Sequence, residues 1–167
     1  MPGSVENLKA AFAGESQANR RYLAFARKAD EEGHPQIARL FRAVAAAETV
    51  HALNHLRVLG EVKTSEENLQ AAIHGELYEF SKMYPEFVKQ AEADGNAGAR
   101  ENFAYASRVE KVHHQLFENT AAKLRSGAAF TDFDYYVCQY CGNTVTGPAP
   151  KACPICGKPQ DWFKKME

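Results

Sequence analysis

Apolar residues recur every three or four positions along most of the chain, which is the period of an amphipathic α-helix. Glycines interrupt this pattern at positions 33, 60 and 95, and it ends at Gly127. The pattern predicts helices over about 4–33, 35–60, 64–95 and 97–125. Because the links between these long helices are short, neighbouring helices must run antiparallel. We therefore expect a mainly α protein built on an up-and-down four-helix bundle.

The character of the sequence changes after Gly127. Residues 130–167 contain Tyr135-Tyr136-Val137, two cysteine pairs and several turn-forming Gly and Pro residues, which indicate short strands and turns. A segment of this size buries too little apolar surface to be stable without a cross-link. We predict two domains, residues 1–130 and residues 131–167.

A carboxylate occupies the middle of the apolar seam of every predicted helix. The four helices contribute Glu15, the pair Glu48/His51, Glu76 and the pair Glu110/His113. The alternative interpretation, that these are surface charges, requires the same error of helical phase four times, twice with a matching histidine. Four facing carboxylates cannot all ionise away from water without a cation, and two divalent metals would balance them. A Glu from two helices and Glu-x-x-His from the other two is the dinuclear arrangement of ferritin-like bundles, and it suits iron or manganese.

The two halves of the bundle resemble each other, with one residue added in the second half. Glu15 corresponds to Glu76 at an offset of 61, whereas Tyr22 corresponds to Tyr84 at an offset of 62. A single insertion in a helix that keeps both flanking phases predicts a π-bulge. Glu79 lies in this window, and we expect the bulge to turn it toward the metals, although a solvated position is the alternative. Tyr22 and Tyr84, on the carboxylate faces, are candidate catalytic residues that would bond to ligand carboxylates, or else ordinary core residues.

The four cysteines form two Cys-x-x-Cys knuckles separated by 11 residues. The knuckles are Cys138/Cys141 and Cys153/Cys156. This spacing is typical of a tetrahedral metal site and not of disulfides. The sulfur ligands fit zinc or iron, and spacing cannot choose between a structural zinc ribbon and a one-iron redox centre.

Charge and composition narrow the class of protein. The chain has 20 Lys and Arg against 21 Asp and Glu, so it has no field that would attract nucleic acid. It has no run of 18 apolar residues and no signal-like start, so we expect no membrane association and a cytoplasmic location.

These residues together resemble the rubrerythrin family. The matching segments are Gly14-Glu15-Ser16-Gln17-Ala18-Asn19-Arg20-Arg21-Tyr22, Glu48-x-x-His51, Glu76-x-x-Glu79 with Met83-Tyr84-Pro85, Glu110-x-x-His113 and the four-cysteine tail. The resemblance implies a ferritin-like bundle followed by a small β-rich, rubredoxin-like metal-binding domain. It also implies a non-haem diiron peroxidase that reduces hydrogen peroxide to water in defence against oxidative stress.

The resemblance implies a full set of ligands. Two non-haem irons would be held by Glu15, Glu48, His51, Glu76, Glu79, Glu110 and His113, with one iron exchanging between His51 and Glu79. A third iron would be held by Cys138, Cys141, Cys153 and Cys156, although zinc is possible in the isolated protein.

The resemblance also implies partners. A rubredoxin or an NAD(P)H-linked flavoprotein reductase would supply electrons. The cysteine tail follows the last helix, so within one chain it would lie roughly 20 Å from the mid-helix metal site. Family members form head-to-tail dimers that bring one tail to the other subunit's metals, and we expect such a homodimer here.

Two other functions fit part of the sequence. A ferritin-like ferroxidase or iron-storage protein would use the same bundle but has no need of the cysteine centre. A non-catalytic protein with a structural dimetal bundle and a partner-binding zinc ribbon is the second alternative. Neither of these functions requires the additional carboxylate of Glu79 in the window that contains the insertion.

Overall fold

The structure is a computed structural model and describes residues 2–166. Its helices are α1 (Ser4–Glu31), α2 (Pro35–Leu59), α3 (Ser65–Tyr78), α4 (Tyr84–Ala93) and α5 (Ala97–Arg125). A π-helical segment, Glu79–Met83, joins α3 to α4, so that these three elements form one continuous helix. The four predicted helices and the predicted π-bulge are therefore confirmed. Within residues 2–166, no helix has the length and apolar character that a membrane crossing requires.

The chain divides into two compact units after Lys63. The predicted boundary between residues 130 and 131 stays a prediction. The first unit is the antiparallel pair α1–α2, which turns at Gly33, where φ is +77°. Small side chains line the contact between its helices: Ala26, Ala29, Ala38, Ala45 and Ala52 are all buried. Alanine has no side chain beyond Cβ, so the two backbones can approach closely.

The second unit begins with a second antiparallel pair, in which α3, the π segment and α4 pack on α5. Thr64 starts α3 with a complete capping box, because its hydroxyl accepts a hydrogen bond from the Glu67 backbone N–H and Glu67 accepts from the Thr64 backbone. The rings of Tyr84, Phe87 and Phe103 form the apolar contact between α4 and α5, with centroids 5.4 to 6.3 Å apart.

The C-terminal part of the second unit is a small antiparallel sheet. Its strands are β1 (Tyr135–Cys138), β2 (Thr144–Thr146) and β3 (Phe163–Lys165), in the order β2-β1-β3. A short 3₁₀ helix, Gln160–Trp162, precedes β3. We call residues 135–165 the cysteine module, since both knuckles lie in it.

The cysteine module packs on α5. The Arg108 guanidinium donates one hydrogen bond to Ile155 O (2.8 Å) and one to Pro154 O (3.0 Å). The rings of Tyr105 and Tyr140 meet edge to face with centroids 6.0 Å apart. These contacts attach both knuckles of the module to the first half of α5.

The cap of α3 provides a stability test. Replacing Thr64 by Ala removes the hydroxyl that accepts from the Glu67 N–H, and we expect a loss of about 1 kcal/mol in the free energy of unfolding. Urea unfolding followed by circular dichroism measures this loss. Ser65→Ala, at the first helical position beside the cap, is the matched control and should change stability much less. An unchanged midpoint for Thr64→Ala would show that the cap does not stabilise α3.

Candidate metal centre

The α1–α2 pair brings three predicted ligands together. Glu15, Glu48 and His51 each place one ligand atom within 4.8 Å of the others. His51 Nδ1 lies 2.9 Å from Glu48 Oε2, as expected for residues three apart on one helical face. Asn19, one turn after Glu15, donates to Ala45 O (2.7 Å) and Thr49 Oγ1 (2.9 Å), which ties α1 to α2 beside this group.

The second unit contains a corresponding group. Glu76 on α3 and Glu110 and His113 on α5 also place ligand atoms within 4.8 Å of one another. His113 Nδ1 lies 2.7 Å from Glu110 Oε2 and 3.9 Å from Glu76 Oε2. The sequence repeat thus produces two similar three-residue groups, each with two carboxylates and one imidazole.

The electrostatics of the second group favour a cation. Burial, followed by the charge of Glu110, raises the pKa of Glu76 to about 7. Glu76 Oε2 is buried and has no hydrogen-bond partner. The hydrogen bond to Glu110 is the main cause that raises the pKa of His113. A divalent ion would stabilise both carboxylates and give the orphaned oxygen a ligand bond, so these residues fit a metal.

Two further residues lie near the second group. Glu79 is the first residue of the π segment, and Tyr84 directly follows that segment. Burial, and then the nearby Glu110 carboxylate, raises the pKa of Glu79. Burial also raises the pKa of Tyr84, with further contributions from Glu110, Glu79 and Glu76. Glu79 therefore lies within electrostatic reach of the Glu110 carboxylate, but it is not a member of the three-residue group. Its role as a ligand stays a prediction.

Tyr22 lies among aromatic residues of the first unit. Its ring centroid is 6.0 Å from that of Phe41 and 6.3 Å from that of Phe25. Within residues 2–166, neither the Tyr22 nor the Tyr84 hydroxyl makes a hydrogen bond to another protein group. Their predicted bonds to ligand carboxylates are absent from this arrangement, and their catalytic role stays a prediction.

The four cysteine sulfurs converge on one point. They lie within 4.8 Å of one another, with Cys138 Sγ 3.7 Å from Cys156 Sγ and Cys141 Sγ 3.6 Å from Cys153 Sγ. A tetrahedral metal with bonds of about 2.3 Å needs sulfurs about 3.8 Å apart, so the geometry fits such an ion.

Backbone N–H groups face several of these sulfurs. Burial alone would raise the pKa of Cys153, but hydrogen bonds from the N–H groups of Cys156 and Ile155 and from neighbouring cysteine side chains together lower that pKa. Gly142 and Gly157, with φ of +84° and +75°, follow the second cysteine of each knuckle and permit this tight turn. Burial is the largest cause that raises the pKa of Cys141 and Cys156, so a bound cation would be needed to stabilise the thiolates that hold it.

The cysteine module also contacts His113, the histidine of the second three-residue group. His113 Nε2 lies 3.0 Å from the hydroxyl Oγ1 of Thr144 on β2. The expectation that the module lies roughly 20 Å from the metal site of its own chain is therefore wrong for the His113 group. Residues 128–134 form neither helix nor strand, and they let the module fold back along α5.

Sequence reasoning missed Thr144 and Arg108. Thr144 follows the first knuckle by three residues, and Arg108 precedes Glu110 by two, so both stood beside predicted ligands. Their partners are 31 and 46 or 47 residues away along the chain. No local periodicity marks such contacts. The sequence signal for both residues was their closeness along the chain to a predicted metal ligand.

The fold and its three clusters define a helical metalloprotein with paired Glu/His groups and a four-cysteine site. The family model described as Rubrerythrin matches residues 6–121. This chain belongs to the rubrerythrin family. Membership in this family supports a diiron-type bundle and a rubredoxin-like module in this chain. The fold matches that of nigerythrin.

Several relatives align along nearly the whole chain. Rubrerythrin-2 of Clostridium acetobutylicum is 36% identical over 96% of this chain and 95% of its own length. Nigerythrin of Nitratidesulfovibrio vulgaris is 37% identical over 96% of this chain and 85% of its own length. A solved structure of nigerythrin in a mixed-valence state has a TM-score of 0.59 and 36% identity, and covers 99% of this chain and 88% of that one. A fully reduced, all-ferrous nigerythrin gives the same TM-score at 35% identity and the same coverage of both chains.

The raised pKa of Glu76 predicts how the metal-free protein responds to pH. Folded Glu76 keeps its proton up to a pKa of about 7, whereas the unfolded carboxyl loses it near 4.5. Its contribution to stability is fully present below pH 4.5 and is lost as the pH rises through 7.

The free energy of unfolding of the metal-free protein should thus fall more steeply over this range in wild type than in Glu76→Gln. Urea unfolding at several pH values measures both slopes, with Glu86→Gln on exposed α4 surface as control. Equal slopes for wild type and Glu76→Gln would contradict the raised pKa of Glu76 in the folded protein.

Proposed function

We propose that this protein is a non-haem diiron peroxidase that reduces hydrogen peroxide to water and acts against oxidative stress. Electrons would arrive through an iron held by the four cysteines. The observation that carries the proposal is the contact between the cysteine module and His113, because it joins an electron-carrying type of site to a carboxylate and histidine site. A ferroxidase or storage protein has no use for this contact.

The bundle irons would be held by carboxylate and histidine side chains of the long helices. Their ligands would be Glu15, Glu48, His51, Glu76, Glu79, Glu110 and His113. Each three-residue group alone offers two carboxylates and one imidazole, so two groups together balance the four positive charges of two ferrous ions. The orphaned Oε2 of Glu76 supports a ligand role for that oxygen. When bound, the ferrous pair would supply the two electrons that break the O–O bond of peroxide.

The side chains would manage the charge and protons of this reaction. The carboxylates and the buried environment that raise the pKa of Tyr84 keep its phenol protonated, so it can donate a hydrogen bond beside Glu110. Burial, followed by the charge of Glu110, raises the pKa of Glu79, which favours the protonated form of a carboxyl that could pass its proton to a departing oxygen. Tyr22, the counterpart of Tyr84 in the first half of the sequence repeat, would likewise act as a hydrogen-bond donor.

The exchange between His51 and Glu79 has a physical rationale. The His51 side chain is 56% exposed and contacts only Glu48 among the candidate ligands, so it has room to leave. Glu79 stands outside the second three-residue group, on the wider π turn. An anionic oxygen suits the harder ferric ion and an imidazole suits the ferrous ion, so the exchange would keep the charge of the site balanced.

Iron is the metal we propose for the cysteine site as well. The relatives described as mixed-valence and all-ferrous nigerythrin contain iron in more than one oxidation state, which supports redox chemistry in this chain. A rubredoxin or an NAD(P)H-linked flavoprotein would reduce this centre. We also propose a head-to-tail homodimer and a cytoplasmic location, since cysteines used as metal ligands suit a reducing compartment.

Stopped-flow mixing tests the reaction directly. The fully reduced protein is mixed with hydrogen peroxide or with dioxygen at equal concentration, and oxidation of the cysteine-bound iron is followed by its visible absorption. The proposal predicts much faster oxidation by peroxide. Faster oxidation by dioxygen would contradict the peroxidase assignment and favour a ferroxidase. A colourless protein with zinc at the cysteine site after expression with excess iron would favour the structural alternative.

Glu79 gives a separate test of the ligand exchange. Glu79→Ala should retain both bundle irons but lose about tenfold or more in peroxide turnover, because the ferric state would lack its anionic ligand. Glu86→Ala, the next glutamate along the helix, is the control. Iron content by elemental analysis separates a loss of turnover from a loss of metal. Full turnover in Glu79→Ala would overturn the exchange while leaving the peroxidase proposal intact.

A further inference from the structure

An apolar cleft opens beside the second three-residue group. It has a volume of about 310 Å³ and is lined by residues of α3, α5 and the first two strands of the cysteine module. Leu69 of α3, Leu116 and Phe117 of α5 and Tyr135 of β1 form its apolar walls. A cleft of this size with a mainly apolar lining is typical of a site that binds a small organic molecule.

The cleft extends along both helices from two candidate metal ligands. Leu69 precedes Glu76 by seven residues on α3, and Phe117 follows His113 by four residues on α5, so each apolar residue shares a helical face with a ligand. Because the two helices are antiparallel, both walls run in the same direction from the ligands, and seven residues of helix extend about 10 Å. Glu76 and His113 themselves line the cleft, so one end of it is polar and the remainder is apolar.

The hydroxyl groups in the lining are already engaged. The Thr120 hydroxyl donates a hydrogen bond to Leu116 O at 2.8 Å, and the Thr144 hydroxyl lies 3.0 Å from His113 Nε2. Glu76 Oε2, in contrast, is buried and has no hydrogen-bond partner among residues 2–166. A molecule in the cleft would therefore meet apolar surface along most of its length and polar groups at the Glu76 end.

This combination of surfaces suits an organic hydroperoxide better than hydrogen peroxide. Hydrogen peroxide has no apolar part, so it gains nothing from apolar walls. An organic hydroperoxide has an –OOH group that matches the polar end and a hydrocarbon group whose burial against the walls is favourable. Tyr135 is 37% exposed, and its ring centroid lies 5.2 Å from that of Phe133, so these two rings give the cleft an aromatic rim.

We propose that the cleft is a substrate site for organic hydroperoxides that carry a compact apolar group, and that the protein reduces these compounds as well as hydrogen peroxide. This inference rests on the proposed function, which supplies two electrons in each turnover. The two electrons and two protons break the O–O bond of a hydroperoxide ROOH, and the products are one alcohol, ROH, and one water molecule. Leu69, Leu116 and Phe117 are then residues that determine specificity.

The first experiment measures binding without redox chemistry. Cumyl alcohol, the product of cumene hydroperoxide reduction, is titrated into the zinc-loaded full chain, and the backbone amide signals are followed by NMR. We expect saturable shifts centred on Leu69, Phe117 and Tyr135, and no such shifts with glycerol, which has no apolar group. Absence of saturable shifts at these residues with cumyl alcohol would overturn the proposal.

Substitutions that fill the cleft provide the matched comparison. Leu69→Trp should weaken the binding of cumyl alcohol about tenfold or more, because the added ring occupies space that the ligand needs. Leu40→Trp makes the same change on α2 at a position that is 63% exposed, and it should not affect binding. Thr120→Phe fills the cleft from the α5 side and replaces Leu69→Trp if that variant does not fold. Unchanged affinity in a folded, cleft-filling variant would overturn the proposal.

The second experiment measures reaction with the iron-loaded protein. Reduced protein is mixed with cumene hydroperoxide or hydrogen peroxide, and the second-order rate constant for oxidation of the cysteine-bound iron is determined for each. We expect Leu69→Trp to lower the rate constant for cumene hydroperoxide about tenfold or more and to change that for hydrogen peroxide by less than about twofold. An equal loss for both peroxides, or no loss for either, would overturn the role of the cleft.

Failure of this inference and failure of the proposed function give different results. If the wild type reacts with hydrogen peroxide but not with cumene hydroperoxide, the cleft is not a substrate site and the peroxidase proposal stands, whether or not cumyl alcohol binds. If the wild type reacts with neither peroxide, the proposed function fails and the substrate role of the cleft fails with it.

Discussion

Carboxylates held away from water need a partner for their charge, and this constraint accounts for most features of the site. Glu76 has a buried oxygen with no hydrogen-bond partner, and burial, followed by the charge of Glu110, raises its pKa to about 7. Without a cation the group can only take up protons. A metal replaces those protons, so metal binding, protonation and the stability of the helix pair are linked.

The π segment allows one continuous helix to place both its candidate metal ligand and its aromatic packing residues correctly. The continuous helix from α3 to α4 must present Glu76 to the carboxylate group and, further on, Tyr84 and Phe87 to the aromatic contact with α5. One extra residue at Glu79–Met83 preserves both faces and adds Glu79 beside them. The first half of the repeat has Ala18 near this place and an uninterrupted helix, so the two halves differ in the element that carries the additional carboxylate.

Local patterns made much of this structure predictable. The helix limits follow from caps and glycines, the π segment follows from a one-residue change of offset, and the converging cysteines follow from the knuckle spacing. The grouping of Glu48 with His51 and of Glu110 with His113 follows from helical geometry alone. The position of the cysteine module did not follow, because it depends on Arg108 meeting two backbone carbonyls and on Thr144 meeting His113. Backbone carbonyls carry no sequence signal, and the segment before β1 has no periodicity that indicates its path.

The central proposal is that the carboxylate and histidine ligands of the helices hold a pair of irons, which works with a separate cysteine-bound iron. Mössbauer spectroscopy of the oxidised protein, reconstituted with ⁵⁷Fe, tests this claim most directly. The account predicts two spectral components in a two-to-one ratio: a magnetically coupled, diamagnetic ferric pair with oxygen and nitrogen ligands, and one high-spin ferric ion with four sulfur ligands. Uncoupled paramagnetic ferric ions in the oxygen and nitrogen sites would contradict it.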